Sequence, residues 1–99
     1  MISVQFVEPK TKTHKMTAVF FDGKKKIKTT NFGSKGMSDY TINKDNDRKE
    51  RYLARHKKNE SWDKYMTAGS LSRWILWNKT TLKTSIQDYL KKFKLKLIK

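Results

Sequence analysis

Ile2, Val4 and Phe6 alternate with Ser3, Gln5 and Val7, the period of two expected of a short strand over residues 2–7. Glu8-Pro9 closes it, because proline has no N–H to give a ladder. His14 to Phe21 reads as a second strand and Lys24 to Phe32 as a third, with ladders over 15–21 and 25–32. The Asp22-Gly23 pair between them tolerates the positive φ angles of a type I′ hairpin turn. A two-residue loop at Asp22 and Gly23 pairs Phe21 with Lys24 and Ala18 with Ile27. Met16, Ala18, Phe20 and Ile27 then share an apolar face, while Thr17, Lys24, Lys26 and Lys28 lie opposite, beside Val19 and Phe21. A slip of one residue would exchange the two faces.

Residues 32–41, FGSKGMSDYT, favour an irregular path, since Gly33 and Gly36 suit neither helix nor strand. Asp47 and Glu50 have the spacing of a capping box and predict a helix over 47–58. On that helix Arg48, Arg51, Arg55 and Lys58 fall within an arc of about 80°, a basic ridge flanked by Tyr52, Leu53 and His56. A hydroxyl in Thr67-Ala68-Gly69-Ser70 caps the next helix, near 71–78. Its apolar face is broad, with Leu71, Trp74, Ile75 and Leu76. Core packing suits Trp74 better than ligand contact, whereas Trp77 points away from it and fits either role. Thr81 caps a last helix over 82–93, where Leu82, Ile86, Tyr89, Leu90 and Phe93 recur at helical spacing. Lys94 to Lys99 alternates lysine with apolar residues and reads as a fraying helix end, a flexible basic tail or a terminal strand. Together these patterns predict one α+β domain over 1–99. A small antiparallel sheet with an N-terminal hairpin packs against two to three helices, 71–78 and 82–93 on its apolar face and 47–58 at an edge.

Charge adds what periodicity does not show. The 99 residues hold 24 Lys and Arg against 9 Asp and Glu, a formal charge of +15. Three tryptophans and 12% aromatic residues are too many for a disordered basic tail, so the charge is displayed by a folded module. Cysteine is absent, which excludes disulfide frameworks and thiolate metal sites. No apolar run approaches the roughly 18 residues of a membrane span, and the N-terminus lacks a signal-peptide core. An intracellular chain with no membrane partner is expected. Residues 1–43, 44–66 and 67–99 carry eight basic groups each, so several elements offer cationic strips instead of one basic arm.

The only histidines are His14 and His56, and no metal-ligand spacing connects them, so neither metal nor other cofactor is expected. Asp45, Asp47, Glu50, Glu60 and Asp63 form the one acidic cluster. Two or three such carboxylates would serve a magnesium-dependent nuclease, but acids at a helix start complement its dipole, which is the plainer account. Gly33-Ser34-Lys35-Gly36 has the composition of a phosphate-cradling loop, or of a simple turn. Arginines on the ridge suit bidentate phosphate contact. With the hairpin lysines and the net charge they make a non-catalytic nucleic-acid-binding protein the leading expectation, for DNA more than RNA and with little sequence selectivity. Its candidate contact residues are Lys24, Lys26, Lys28, Lys35, Tyr40, Arg48, Arg51, Arg55, Lys58, Trp62 and Arg73. Tyr40, Trp62 and Tyr65, in polar segments, are placed to stack on unpaired bases or to wedge into a minor groove. Lys35, Tyr40, Arg48, Arg51, Arg55, Trp62 and Arg73 are expected to converge on one groove.

The blocks FGSKGMSDYT (32–41), Arg48 with RYLARHKKNESW (51–62), and TAGSLSRWILWNK (67–79) resemble a family of small basic proteins encoded mainly by large double-stranded DNA viruses of algae and amoebae. The resemblance covers about residues 16–93. It implies a viral protein made inside a host cell, in cytoplasm or nucleus, with the virus particle as a further location. It supplies no mechanism. A genome-packaging or architectural role agrees with the charge. A minor capsid or other protein-interaction module is the alternative, with virion proteins as partners and Trp62, Tyr65 or Trp77 at the centre of an apolar patch. The Lys94 to Lys99 extension departs from the family pattern.

Overall fold

The computed structural model describes residues 1–98; Lys99, the end of the basic extension, lies outside the described residues. Strands β1 (Ile2–Val7), β2 (His14–Asp22) and β3 (Lys25–Ser34) form an antiparallel meander. A short β4 (Lys96–Leu97) joins β1 in parallel, giving the order β3-β2-β1-β4. The fold is therefore α+β, but with a mixed sheet where an all-antiparallel one was expected. Lys94 adopts a left-handed conformation (φ 54°) that turns the chain off the last helix. Leu95 is buried, and the Ile98 N–H donates to the Val4 carbonyl at 2.9 Å. Of the three readings of this extension, residues 96–97 adopt the terminal strand.

The hairpin forms, but its register differs from the expected one. Asp22 pairs with Lys25, so the loop is Gly23-Lys24, and among the described residues of this turn only Gly23 takes positive φ (63°). Type I′ needs two such residues. A bulge at Phe20/Phe21 then sets Phe21 opposite Lys26 and Phe20 opposite Lys28. Ala18 pairs with Thr30, and Ile27 is the extra residue, 41% exposed. Ile27 is not part of the apolar face. The three lysines do not share a face either: Lys24 is in the loop, Lys26 lies opposite Phe21, and Lys28 follows the buried Phe20. The extra residue of a bulge reverses the side of all that follow it.

Helix α1 (Tyr40–Asn43) is capped by Asp39, and α2 (Asn46–Lys57) by Asp45, whose carboxylate accepts from the N–H groups of Asp47 and Arg48 at 3.0 and 3.2 Å. Asp47 was the expected cap. It lies instead within the first turn, where its charge still faces the positive end of the helix dipole. Thr67 caps α3 (Ala68–Leu71), which opens three residues before the expected start and continues into a π turn, Ser72–Leu76. Thr81 caps α4 (Leu82–Phe93), as its spacing predicted.

The core joins Val4, Ala18, Phe20 and Phe32 of the sheet to Leu71, Ile75 and Leu76 of α3 and its π turn, and to Tyr89 of α4. Burying each large side chain contributes about 1.5–3 kcal/mol. Phe6 meets Phe32 and Tyr89 edge to face, at 6.4 and 6.3 Å between centroids. The Tyr89 hydroxyl donates to the Tyr65 carbonyl at 2.6 Å, and Thr30 Oγ1 donates to the Met66 carbonyl at 2.7 Å. These two bonds tie the loop between α2 and α3 to the sheet and α4. Helix α2 adds Tyr52, stacked on Trp77, to this core, and its Leu53 packs against it.

Candidate nucleic-acid interface

Two residues of the ridge, Arg48 and Arg55, line a cavity of about 370 Å³. Arg48 and Arg55 stand on α2 two turns apart. Opposite them are Lys15 of β2, Gly33 and Ser34 of β3, and Ser38 and Asp39 of the loop before α1. Glu60, Gly69, Ser72 and Trp77 complete the wall. Lys15 donates to the Asp39 carboxylate, and both side chains are largely buried. The Asp39 carboxylate also accepts from the Thr41 N–H at 2.9 Å and from the Thr41 hydroxyl. A second depression, lined by Lys35, Gly36 and His14, adjoins the first through Lys15, Met37 and Ser38.

One wall is aromatic. Tyr52 lies between His56 (4.1 Å, 27° between planes) and Trp77 (4.4 Å, 9°). The π turn makes this stack possible, because its i to i−5 bond, Trp77 N–H to the Ser72 carbonyl at 3.0 Å, widens the helix and presents both residues to the cavity. Burial, followed by the nearby Glu60 charge, pushes the Tyr52 phenol up to about 12, against smaller opposing effects of Ser72, Arg73 and Arg55. The neutral phenol is the buried form. His56 Nδ1 is hydrogen-bonded to Glu60 Oε1, and the other Glu60 oxygen is buried against Gly69 with no hydrogen-bond partner.

The expected groove assembles only in part. Arg48 and Arg55 share the cavity, and Lys35 lines its neighbour. Arg51 and Lys58 are exposed but do not line either depression. Tyr40 is buried, its hydroxyl donating to Asn46 Oδ1 at 2.5 Å and its ring covered by Lys49 at 4.7 Å, so it offers no face to a base. Arg73 is spent inside the fold: it stacks on Trp74 at 4.2 Å and Trp62 at 5.3 Å and donates to the Trp77 carbonyl at 2.9 Å. Trp62 and Trp74 are both half-buried, and Trp77 is the buried tryptophan. Lys24, Lys26 and Lys28 stay with the hairpin, on and beside an edge strand, where lysine also discourages pairing with another chain.

The Gly33 to Gly36 segment forms a turn, in which two N–H groups are already engaged. The Met37 N–H donates to the Ser34 carbonyl at 3.1 Å and the Lys35 N–H to the Thr13 carbonyl at 2.9 Å, which leaves neither for a phosphate. Likewise, among the described residues no three His, Asp or Glu side chains gather where a metal ion could be held. The acidic residues near one another in sequence are used separately, Asp45 as a cap and Glu60 on His56. Among the described residues no helix is long and apolar enough to cross a membrane.

Lys15 and Tyr52 are cavity residues that sequence reading did not single out; His56 and Glu60 were weighed only for metal chemistry, and Trp77 was left between core packing and ligand contact. Tyr52 and His56 carried a local signal, one helical turn apart beside the arginine ridge. Lys15 carried none, since β2 reaches the cavity only through the fold.

Residues 4–56 match DUF5754, described as a family of unknown function. The match runs from within β1 to the last arginine of α2, more than half of the chain. No curated protein and no solved structure matches.

Proposed function

The chain belongs to DUF5754, a family of unknown function, and from its charge and its cavity we propose that it is a non-catalytic nucleic-acid-binding protein. It holds the phosphate backbone with little regard to sequence, in a genome-packaging or architectural role. One observation carries the reading. Among the described residues, Lys15 is the only lysine or arginine with a carboxylate within 4.0 Å. Four of the nine acids have other partners: Asp39 is held by Lys15, Asp45 by backbone N–H groups, Glu60 by His56, and Asp88 by Asn78 at 2.7 Å. Among the described residues the lysines and arginines of α2, of α4 and of the hairpin other than Lys15 are thus left without a carboxylate partner, and on contact with a polyanion they release its condensed counterions. The resemblance to proteins of large DNA viruses supplies such a polyanion.

Fluorescence anisotropy with labelled DNA across salt concentrations tests it. If about six phosphates are neutralised, log K falls against log salt with a slope near −5. Absence of binding to duplex and single strand near physiological salt would remove the reading.

A second reading, a protein-interaction module of a virion, draws on Met37 and Ile42, which are 60% and 63% exposed and line the same depression. It no longer draws on Trp77, which is buried. Retention of a defined acidic virion protein at salt that abolishes DNA binding would favour it.

A further inference from the structure

We propose that the cavity between β2, α2 and the π turn receives one unpaired nucleotide of a bound strand, its phosphate between Arg48 and Arg55 and its base on the open face of His56. The inference rests on the nucleic-acid reading and specifies which form of nucleic acid the site selects.

Size comes first. The cavity, about 370 Å³, lies at the lower end of the range of small-molecule sites, roughly 300–1,000 Å³. That suits a single nucleotide, and a base pair in its stack does not enter. Charge comes second. Arg48 and Arg55 are seven residues apart, hence about 10 Å along the axis of α2, and among the described residues neither has a carboxylate within 4.0 Å. The lining holds Lys15, Arg48 and Arg55 against Asp39 and Glu60. With Asp39 neutralised by Lys15 and Glu60 held on His56, the two arginines remain for a phosphate.

The third observation is the aromatic stack. Trp77 closes it at one end, where it is buried. His56 ends the other, with one face on Tyr52 and 41% of its side chain open. A fourth ring continues such a column, and every base has a π-face, so the site tolerates sequence while requiring an unstacked base. The bond from His56 Nδ1 to Glu60 holds the imidazole in that orientation. Gly69 allows it, because a Cβ there would stand 2.2 Å from Glu60 Oε2.

The consequence is preference for single strands over duplex at equal phosphate number. Anisotropy at one fixed salt, with a single-stranded oligodeoxynucleotide and a duplex, should show it. His56→Ala should weaken the single strand about tenfold while leaving the duplex nearly unchanged, as expected for loss of one stacked base. Arg55→Gln alters an exposed side chain and keeps the test available should His56→Ala fail to fold. In NMR titrations, cytidine monophosphate should shift the His56 imidazole signals and inorganic phosphate at equal concentration should not, while Arg55→Gln weakens the nucleotide response. Equal affinity for single strand and duplex would overturn the pocket and leave the nucleic-acid reading standing. A nucleotide response with both polymers ignored would overturn that reading, and with it the claim that the nucleotide belongs to a strand.

Discussion

Gly33 and Gly36 both adopt left-handed backbone, at φ 76° and 88°, yet alanine should cost very different amounts at the two. An L-residue in that conformation loses about 1–2 kcal/mol. At Gly36 a Cβ would meet nothing within 4 Å, so Gly36→Ala should cost about 1.5 kcal/mol, the backbone term alone. At Gly33 the same carbon would stand 2.7 Å from Leu76 Cδ1 and 3.2 and 3.3 Å from Lys15 Cβ and Cδ. Neither neighbour yields easily: Leu76 is buried in the core and Lys15 is held by Asp39. Overpacking of this kind adds about 1–3 kcal/mol, which brings Gly33→Ala to about 3.5 kcal/mol. For a domain near this length each kcal/mol moves the thermal midpoint by about 4–8 °C. The expected losses are therefore roughly 9 °C for Gly36→Ala and roughly 20 °C for Gly33→Ala. Urea unfolding followed by tryptophan fluorescence gives the free energies, and calorimetry the midpoints. Adding Leu76→Val to Gly33→Ala should recover about 1 kcal/mol relative to the sum of the two single changes, since the pair shares one contact. Equal losses at the two glycines, or strict additivity with Leu76→Val, would refute the steric argument.

Other outcomes follow from the same structure. Lys15→Met leaves the Asp39 carboxylate buried without its cation and should destabilise by about 3 kcal/mol, read from urea midpoints. Tyr52 has its pKa raised to about 12 by burial, above the usual 10.0. The folded state therefore binds the phenol proton more tightly, and stability present below pH 10 is lost as pH rises toward 12. Circular dichroism in alkaline titration should show that loss, by about 2–3 kcal/mol, and Tyr52→Phe should remove this part of the dependence. Gly69→Ala should expel Glu60 from its seat on α3 and cost about 1–2 kcal/mol in denaturant, most of it recovered in a Glu60→Ala background. Thr81→Ala removes the α4 cap and should cost about 1 kcal/mol in the same assay.

What short-range patterning controls was legible. The limits of α4 follow from its apolar spacing and from Thr81, because helix periodicity and a capping hydroxyl act within a few residues. The alternation over residues 2–7 is likewise a strand. The hairpin was legible as a hairpin but not in its register. Asp22 and Gly23 identify a turn, whereas the bulge at Ile27 is chosen by which register buries Phe20 and Phe32 together, a comparison across strands. The cap of α2 was misplaced by two residues, since Asp45 and Asp47 have the same chemistry and only the path from α1 selects between them.

The amino-acid order by itself determined the class of fold, the limits of β1 and α4, the arginines of α2 and the net positive charge. Tertiary structure alone decided that Arg73, Tyr40 and Trp77 turn inward, that residues 96–97 close the sheet in parallel, and that Lys15, Ser72 and Trp77 meet Arg48, Arg55 and His56 around one cavity. The division has a physical cause. Helices and turns are specified by bonds between near neighbours, whereas a cavity is the space left between elements far apart in the chain, and no local property of its residues records which of them will face it.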